Sequence, residues 1–393
     1  MHRPYPTVKA LTLTSALQPF PGSDSQLAQK AHVLLIAPLS TVLKGDSNLA
    51  MEDSSAKTTW TILHSYPDVL CAERWRKFLA QAHFAAHYVA PEYFLEPFFR
   101  DKRPFAVLAW QGERVVAAVT GIHEEHELVC GLLSRPQICF DKEVDLETAA
   151  NALVDGLKHE AGADKLITLY SWVPLDTLST HGYRCHEEEG VVMLDLTKGP
   201  DELFKQHANT RRTNIRNAIK RGIEVVIAES DDEFRAYYEI YTDWCRRKQI
   251  TPFSFEVLEE ALRLPNRRLF LARYEGKTIA AAITRLYPGA MIEAAANSSL
   301  VEYLKFKPND LLLWRVVEWG CREGYKRYSL GGAHLFLRLM GGSIVPVYRY
   351  HLDRTWLHQH DLKEALEKSG RKVFNALPGS LKTRVRQVLK HHN

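Results

Sequence analysis

The chain of 393 residues has no C-x-x-C pair, and its six cysteines (Cys71, Cys130, Cys139, Cys185, Cys245, Cys321) follow no regular spacing. Neither a disulfide framework nor a thiolate zinc site is expected, no metal is called for, and a reducing, cytoplasmic setting fits best. No long apolar run is present near the start: Ala31 to Leu43 spans thirteen residues and already contains His32, Ser40 and Thr41. Such a run is too short to cross a bilayer as a helix, and it lacks the position and basic leader of a secretory signal. Also missing are a P-loop, a G-x-G-x-x-G after a strand, an H-E-x-x-H and a G-x-S-x-G elbow. These absences argue against nucleotide hydrolysis, dinucleotide redox chemistry, zinc proteolysis and α/β-hydrolase chemistry.

Acid is absent from two stretches. Between Glu202 and Glu224 there are six Lys/Arg and no Asp or Glu, and from Lys368 to the C-terminus there are seven and none, although the whole chain carries only +4. Both patches point to anionic partners. What remains is the composition of an ordinary globular protein, 46% hydrophobic and 25% charged, with the length of about two domains. Residues 1–58 mix Pro, Ser, Thr and Gln without periodicity and read as a poorly ordered leader, with Met51 as a candidate alternative start.

An internal repeat sets the expected architecture. Phe105 to Thr120 (FAVLAWQGERVVAAVT) aligns with Leu269 to Thr284 (LFLARYEGKTIAAAIT) at an offset of 164. Each copy reads as a β-hairpin turning at Gly112 or Gly276. A third strand follows (Glu127 to Leu133; Met291 to Asn297), then a helix (Leu146 to Glu160; Asn309 to Glu323) and a short strand (Leu166 to Tyr170; Arg327 to Leu330). A β-β-β-α-β order repeated at this period argues for two copies of one α/β domain, each an α+β sandwich with a mixed, mostly antiparallel sheet flanked by helices. The expected division is a leader to residue 58, domains at 59–198 and 199–355, and a basic helical tail at 356–393. The second copy adds a basic helix over Pro200 to Arg221 and further helices over Asp231 to Arg247 and Phe255 to Leu264.

Four constellations could carry chemistry. The loop Tyr303 to Asp310 leaves a strand and enters a helix, with Pro308 as a start signal and Asn309 or Asp310 as the expected N-cap. Unpaired N–H groups there, with Lys305 and Lys307 alongside, make a phosphate cradle. The equivalent loop of the first copy, Ser134 to Asp145, is acidic where it enters its helix, so the second copy is expected to take a diphosphate-bearing donor. On the basic helix, Arg212, Arg216 and Lys220 recur every fourth residue beside Arg211, a row that is tolerated more easily opposite an anion. The Gly-Gly pairs in Tyr328 to Gly342 suggest backbone close to a ligand at Gly331 and Gly332, with His334 between the pairs. His334 and Glu293, on the strand beside the expected opening, are the candidate general bases. The fourth is the C-terminal segment, where Leu381, Val385, Val388 and Leu389 form an apolar side among Lys382, Arg384, Arg386 and Lys390, a helix that could rest on anionic lipid or nucleic acid, or equally dock on the domain or fray.

Taken together, Arg211 to Gly222, Leu269 to Lys277, Lys307 to Trp314 and Ser329 to Gly332 resemble the acetyltransferase domain of the FemAB and CelD-like branch of the GNAT superfamily. The resemblance covers about 200–350 well and, through the repeat, 60–195 more weakly. It implies a bacterial tandem-GNAT enzyme that moves an acyl group onto an amine, with acetyl-CoA or another acyl-CoA as donor and an amine-bearing sugar or peptide of the cell envelope or surface polysaccharide as acceptor. By position, Lys305 to Asn309 occupies the donor pyrophosphate loop, without the glycine-rich form common in that superfamily, and Ser329-Leu-Gly-Gly stands where the branch often has Asp-Phe-Gly-Gly. Two alternatives stay open: an aminoacyl-tRNA-dependent peptidyltransferase of the Fem type, and a non-catalytic binding or assembly subunit. The setting implied is cytoplasmic, with a peripheral contact at the inner membrane face through the basic tail and no transmembrane segment.

Overall fold

The computed structural model describes residues 58–376, so the expected leader and the basic segment around Leu381 to Lys390 lie outside the described residues. The first half contains β1 (Thr58–Leu63), α1 (Val69–Gln81), β2 (Phe105–Gln111), β3 (Arg114–Glu124), β4 (Glu127–Leu132), β5 (Arg135–Pro136), β6 (Ile138–Phe140), α2 (Leu146–Ala161), β7 (Leu166–Ser171), α3 (Asp176–Thr180) and β8 (Arg184–Asp195). The second contains α4 (Gly199–Gln206), α5 (Asn209–Lys220), β9 (Glu224–Ile227), α6 (Asp231–Lys248), α7 (Phe255–Arg263), β10 (Arg267–Tyr274), β11 (Lys277–Tyr287) and β12 (Met291–Ser299). It continues with α8 (Pro308–Arg322), β13 (Arg327–Ser329), α9 (Leu335–Arg338), β14 (Ser343–Asp353) and α10 (Gln359–Ala376). The mixed α/β class is as expected, and β2-β3-β4-α2-β7 and β10-β11-β12-α8-β13 are the two copies of the repeat.

Within each copy the hairpin and third strand are antiparallel, and one parallel pair closes the set, β4 with β7 and β12 with β13. The hairpin strands are covered on both faces, which is why they read as continuous apolar runs and not as strict alternation. In the second copy, α8 packs on one face with α4 and α5, sharing Leu203, Ile215, Leu311, Leu312 and Val316 in one core. Helices α6 and α7 cover the other face through Phe234, Tyr237, Leu258 and Leu262, together with Tyr88, Tyr93 and Phe98 from the first half.

The two copies form one continuous sheet by exchanging strands. In sequence β8 follows the first copy, yet it pairs with β13 of the second, and Val192, Leu194 and Leu196 belong to the second core. In return β14 pairs with β7 of the first copy, and its Tyr350 donates no part to the second core but packs in the first. Strands β8 and β14 pair with each other between the halves.

Two local expectations are corrected. The stretch Pro200 to Arg221 is two helices, because His207 and Ala208 adopt extended backbone. There the Ala208 N–H leaves the helix to donate to the Leu339 carbonyl at 2.9 Å. At the start of α8 neither Asn309 nor Asp310 is the N-cap: Lys307 is, in left-handed conformation at φ 62°, with no side chain capping the first turn. Among the described residues no helix is long and apolar enough to cross a membrane.

Candidate functional site

Strands β12 and β13 run side by side only from Met291 to Glu293, opposite Arg327 to Ser329, and then part. Beyond that point β13 turns away: the Leu330 N–H donates to Val192 and the Val192 N–H donates to Gly332, both at 2.9 Å. Gly331, at φ +75°, lines the resulting opening, with a Cβ position 3.4 Å from the Ala294 carbonyl. On its other side β12 carries a bulge, since Thr284 pairs with Ala294 and Ile283 with Ala296, leaving Ala295 without a partner. Backbone groups of β12 after Glu293 thus face the opening with no strand beyond them, and such groups can polarise a carbonyl placed there.

The opening leads to the N-terminus of α8 through a short 3-10 turn, Val301–Phe306. Three features leave that terminus available. No side chain caps it. Asn309 is held by its Oδ1, which accepts from Ser299 Oγ at 2.6 Å. Asp310 is buried and turned inward, accepting from Arg211 Nη1 at 2.8 Å and from Asn214 Nδ2 at 3.3 Å. Lys305 and Lys307 are exposed beside it. An uncapped terminus flanked by two lysines can hold an anionic group through N–H groups, helix dipole and side-chain charge. In the first copy the corresponding terminus of α2 is closed, because Asp145 accepts from the Thr148 N–H at 2.9 Å.

The basic row does not act as one unit. Arg211, expected beside Arg212, Arg216 and Lys220 as an anion binder, is already met by Asp310 and lies over the Phe336 ring at 4.1 Å. Arg212 donates to the Lys205 carbonyl at 3.1 Å and Arg216 stacks on Phe204 at 5.3 Å, while Lys220 is exposed near the end of α5. Of the two candidate bases, Glu293 sits where the strands part, 1% exposed, with Oε2 3.8 Å from Arg285 Nε and without a hydrogen-bond partner for that oxygen among the described residues. His334 is exposed at the start of α9, stacked on Phe336, on the α5 side of the loop. Gly331 and Glu293 therefore flank the opening, Gly331 against Ala294 and Glu293 where the strands part, while the α8 terminus adjoins the far end of β12 through Ser299.

Sequence reading missed a buried charged cluster on the α6–α7 face. Glu96 accepts from Arg267 Nη2 and lies 2.5 Å from His87 Nε2, with Asn266 Nδ2 3.0 Å from His87 Nδ1. Burial alone would push the Glu96 carboxyl up, but Arg267, His87 and Arg285 together bring it down to about 2. Arg285 and Arg135 flank Tyr88, at 4.9 and 4.7 Å from its ring centre. The available signal was Arg285 itself, a charge inside a strand of buried residues.

Other clusters lie elsewhere. His186, His351 and Glu364 come within 4.8 Å of one another near α10, as do Asp353, His358 and Asp361. His351 is committed to Asp361 at 2.6 Å and Glu364 to Arg349 at 2.6 Å. A cleft of about 390 Å³ between Gly199–Pro200 and Glu318–Tyr325 adjoins the C-terminal end of α8, away from the opening.

Residues 205–337, which contain α5, the opening and the α8 terminus, match the family model of the acetyltransferase (GNAT) domain. The chain carries a GNAT acetyltransferase domain. The match makes the chain an acyltransferase. A search of curated proteins finds no match. Among solved structures, FemX is similar at 14% identity, covering 74% of this chain and 94% of that one with a TM-score of 0.51. The C-terminal domain of a protein assigned as a lysylphosphatidylglycerol synthetase from Agrobacterium fabrum aligns at 13% identity, covering 75% and 95%, with a TM-score of 0.54. L-PGS from Bacillus licheniformis aligns at 13% identity, covering 75% and 93%, at 0.50. At these identities the likeness concerns the fold, and it extends over both copies of the repeat around the GNAT domain.

Proposed function

We propose that the GNAT domain takes acyl-CoA, acetyl-CoA in the simplest case, and transfers the acyl group to the amine of a sugar or peptide in the building of cell envelope or surface polysaccharide. The observation that carries the donor assignment is the contrast between helix termini: α8 is uncapped beside Lys305 and Lys307, whereas α2 is closed by Asp145. A diphosphate held at Lys305, Lys307, Pro308, Asn309 and the Asp310 backbone would let the acyl chain run along the opening past Gly331 and Gly332. Its carbonyl would then lie against the unpartnered edge of β12 at Ala294 to Ala296. The amine nitrogen attacks that carbonyl, the C–N bond forms, the C–S bond breaks, and the thiol leaves with a proton. Glu293, buried at the point where the strands part, is the group placed to take the amine proton. Positioning and oxyanion stabilisation supply most of the rate. In this reading 199–355 is the transferring domain, 59–198 walls the acceptor side, and 356–393 is an appended tail.

Calorimetric titration with acetyl-CoA tests the proposal. Replacing Lys305 and Lys307 together by Ala should weaken binding by about tenfold or more, since two charge-assisted contacts are lost, and leave the melting temperature nearly unchanged. Unchanged affinity would move the donor site elsewhere. A second reading, aminoacyl-tRNA as donor, is favoured by exposed Lys220 and the half-exposed cations of α5. Binding of that donor would fall steeply with salt while acetyl-CoA binding would not. Binding of neither donor would leave the chain as an assembly subunit.

A further inference from the structure

Large apolar side chains stand in the open where β14 gives way to α10. Trp356 and Leu357 occupy the turn between them, and Leu362 and Leu366, four residues apart, share one face of α10. All four are more than half exposed, Trp356 at 80%. A single exposed leucine is ordinary, but four such residues between 356 and 366 make a patch of the kind that marks an interaction surface. The turn is tied so as to hold its two side chains out. Leu357 and His358 take left-handed backbone, at φ 62° and 47°, which a leucine adopts only when its surroundings impose it. Asp353 imposes it: its carboxylate accepts from the Thr355 N–H at 2.9 Å and hydroxyl at 2.6 Å, and from the His360 and Asp361 N–H groups at 2.8 and 3.0 Å. Thr355 Oγ1 in turn accepts from the Gln359 N–H at 2.8 Å. Arg354 fastens the start of the turn to the first half, donating to the Gly162 and Asp164 carbonyls at 2.9 and 3.2 Å.

Charge says what covers the patch. The acids beside it are already engaged: Asp353 by the turn, Asp361 by His351 at 2.6 Å and Arg184 at 3.1 Å, and Glu364 by Arg349 at 2.6 Å. From Lys368 to Asn393 the sequence then carries seven Lys/Arg with no acid among them. Exposed tryptophan and leucine next to an excess of cations complement an anionic bilayer, whose headgroups meet the cations and whose acyl boundary takes the apolar tips. A second copy seated on the same patch would instead bring two cationic segments together. We propose that the Trp356–Leu357 turn and the Leu362–Leu366 face of α10 dock on an anionic lipid surface, with the cations that follow Glu367 lying against its headgroups. Charge pattern alone pointed to lipid only around Leu381 to Lys390; the turn is a separate element that supplies the apolar half of the contact, and stable interfacial binding needs both. The contact uses no residue of the opening or of the α8 terminus, so it stands independently of the acyl-transfer reading.

The test is co-sedimentation of the full chain with vesicles of phosphatidylcholine alone and of phosphatidylcholine with about 30% phosphatidylglycerol. Binding to the anionic vesicles should be at least about tenfold tighter than to the neutral ones and should fall steeply with added salt. Replacing Trp356 and Leu357 together by Ser should weaken it by at least about tenfold and leave the melting temperature nearly unchanged, since both side chains are exposed. Brominated lipid should quench the fluorescence of the wild type, and Trp356→Phe should lose most of that quenching. Equal binding to the two kinds of vesicle, or none, overturns the proposal, and this comparison needs only the wild-type chain. Undiminished binding of the double variant overturns it as well, leaving the cations as the whole contact. Equal acrylamide quenching of wild type and Trp356→Phe without vesicles would mean that another segment of the chain, or a second copy, covers the turn, and would also refute it.

Discussion

Replacing Glu96 by Gln keeps the shape of the side chain and removes its charge from the centre of the buried cluster. In the wild type the carboxyl falls to about 2 from an ordinary value of 4.5, held down mainly by Arg267, with help from His87 and Arg285. A depression of about 2.5 units corresponds to about 3 kcal/mol of stability at neutral pH. An independent route gives a similar figure, since removing one partner of a buried ion pair costs about 3 to 5 kcal/mol by leaving the other charge uncompensated. The sign follows from linkage: the contribution is fully present above the unfolded-state value near 4.5 and is lost as pH falls toward 2. Urea denaturation of wild type and E96Q should show a gap of about 3 kcal/mol at pH 7, shrinking to less than half by about pH 3. A gap under about 1 kcal/mol at pH 7 would show that Glu96 is not the counterion that Arg267 requires. A gap of constant size down to pH 3 would show that the effect is packing and not charge.

His207, buried beside Phe204 and Trp314, is lowered to about 4, chiefly by burial. Below about 6.5 the unfolded chain takes up a proton that the folded chain refuses, so stability should decline by up to about 3 kcal/mol between pH 6.5 and 4, and His207→Leu should flatten that slope in urea titrations. Gly190 stands at φ +80° on β8 with a Cβ position 2.2 Å from the Val345 carbonyl. Gly190→Ala should therefore cost more than about 2 kcal/mol, seen as a lower melting temperature, whereas Gly276→Ala, at φ +77° with open space around it, should cost only about 1.

How much of this was legible follows from the range over which each feature is decided. The two hairpins, β12, α8 and the parallel strands were readable because apolar runs, Gly112 and Gly276, and Pro308 act within a few residues. The break at His207 was not, because it is made by Leu339, more than a hundred residues away in sequence. Nor was the inward turn of Asp310, which depends on Arg211 from another helix. The strand exchange had no local sign, since the partners of β8 and β14 are β13 and β7, strands more than a hundred residues away in sequence. Arg267 and Arg285 could have been flagged as charges in buried strands, but their carboxylate partner Glu96 lies in a turn of the other half.

That last dependence bears on how the two copies share the work. A chain beginning at residue 199 would lack β8, leaving β13 without its antiparallel neighbour and the second core without Val192, Leu194 and Leu196. It would also lack Glu96 and His87, leaving Arg267 buried without its counterion. The uncapped terminus of α8, by contrast, is held only by residues of the second half, Ser299, Arg211 and Asn214. Separating the copies should therefore cost stability at both points, which is the physical reason for the first copy, whose own helix terminus is capped, to remain attached: it supplies the strand that closes the sheet and the counterion that Arg267 requires.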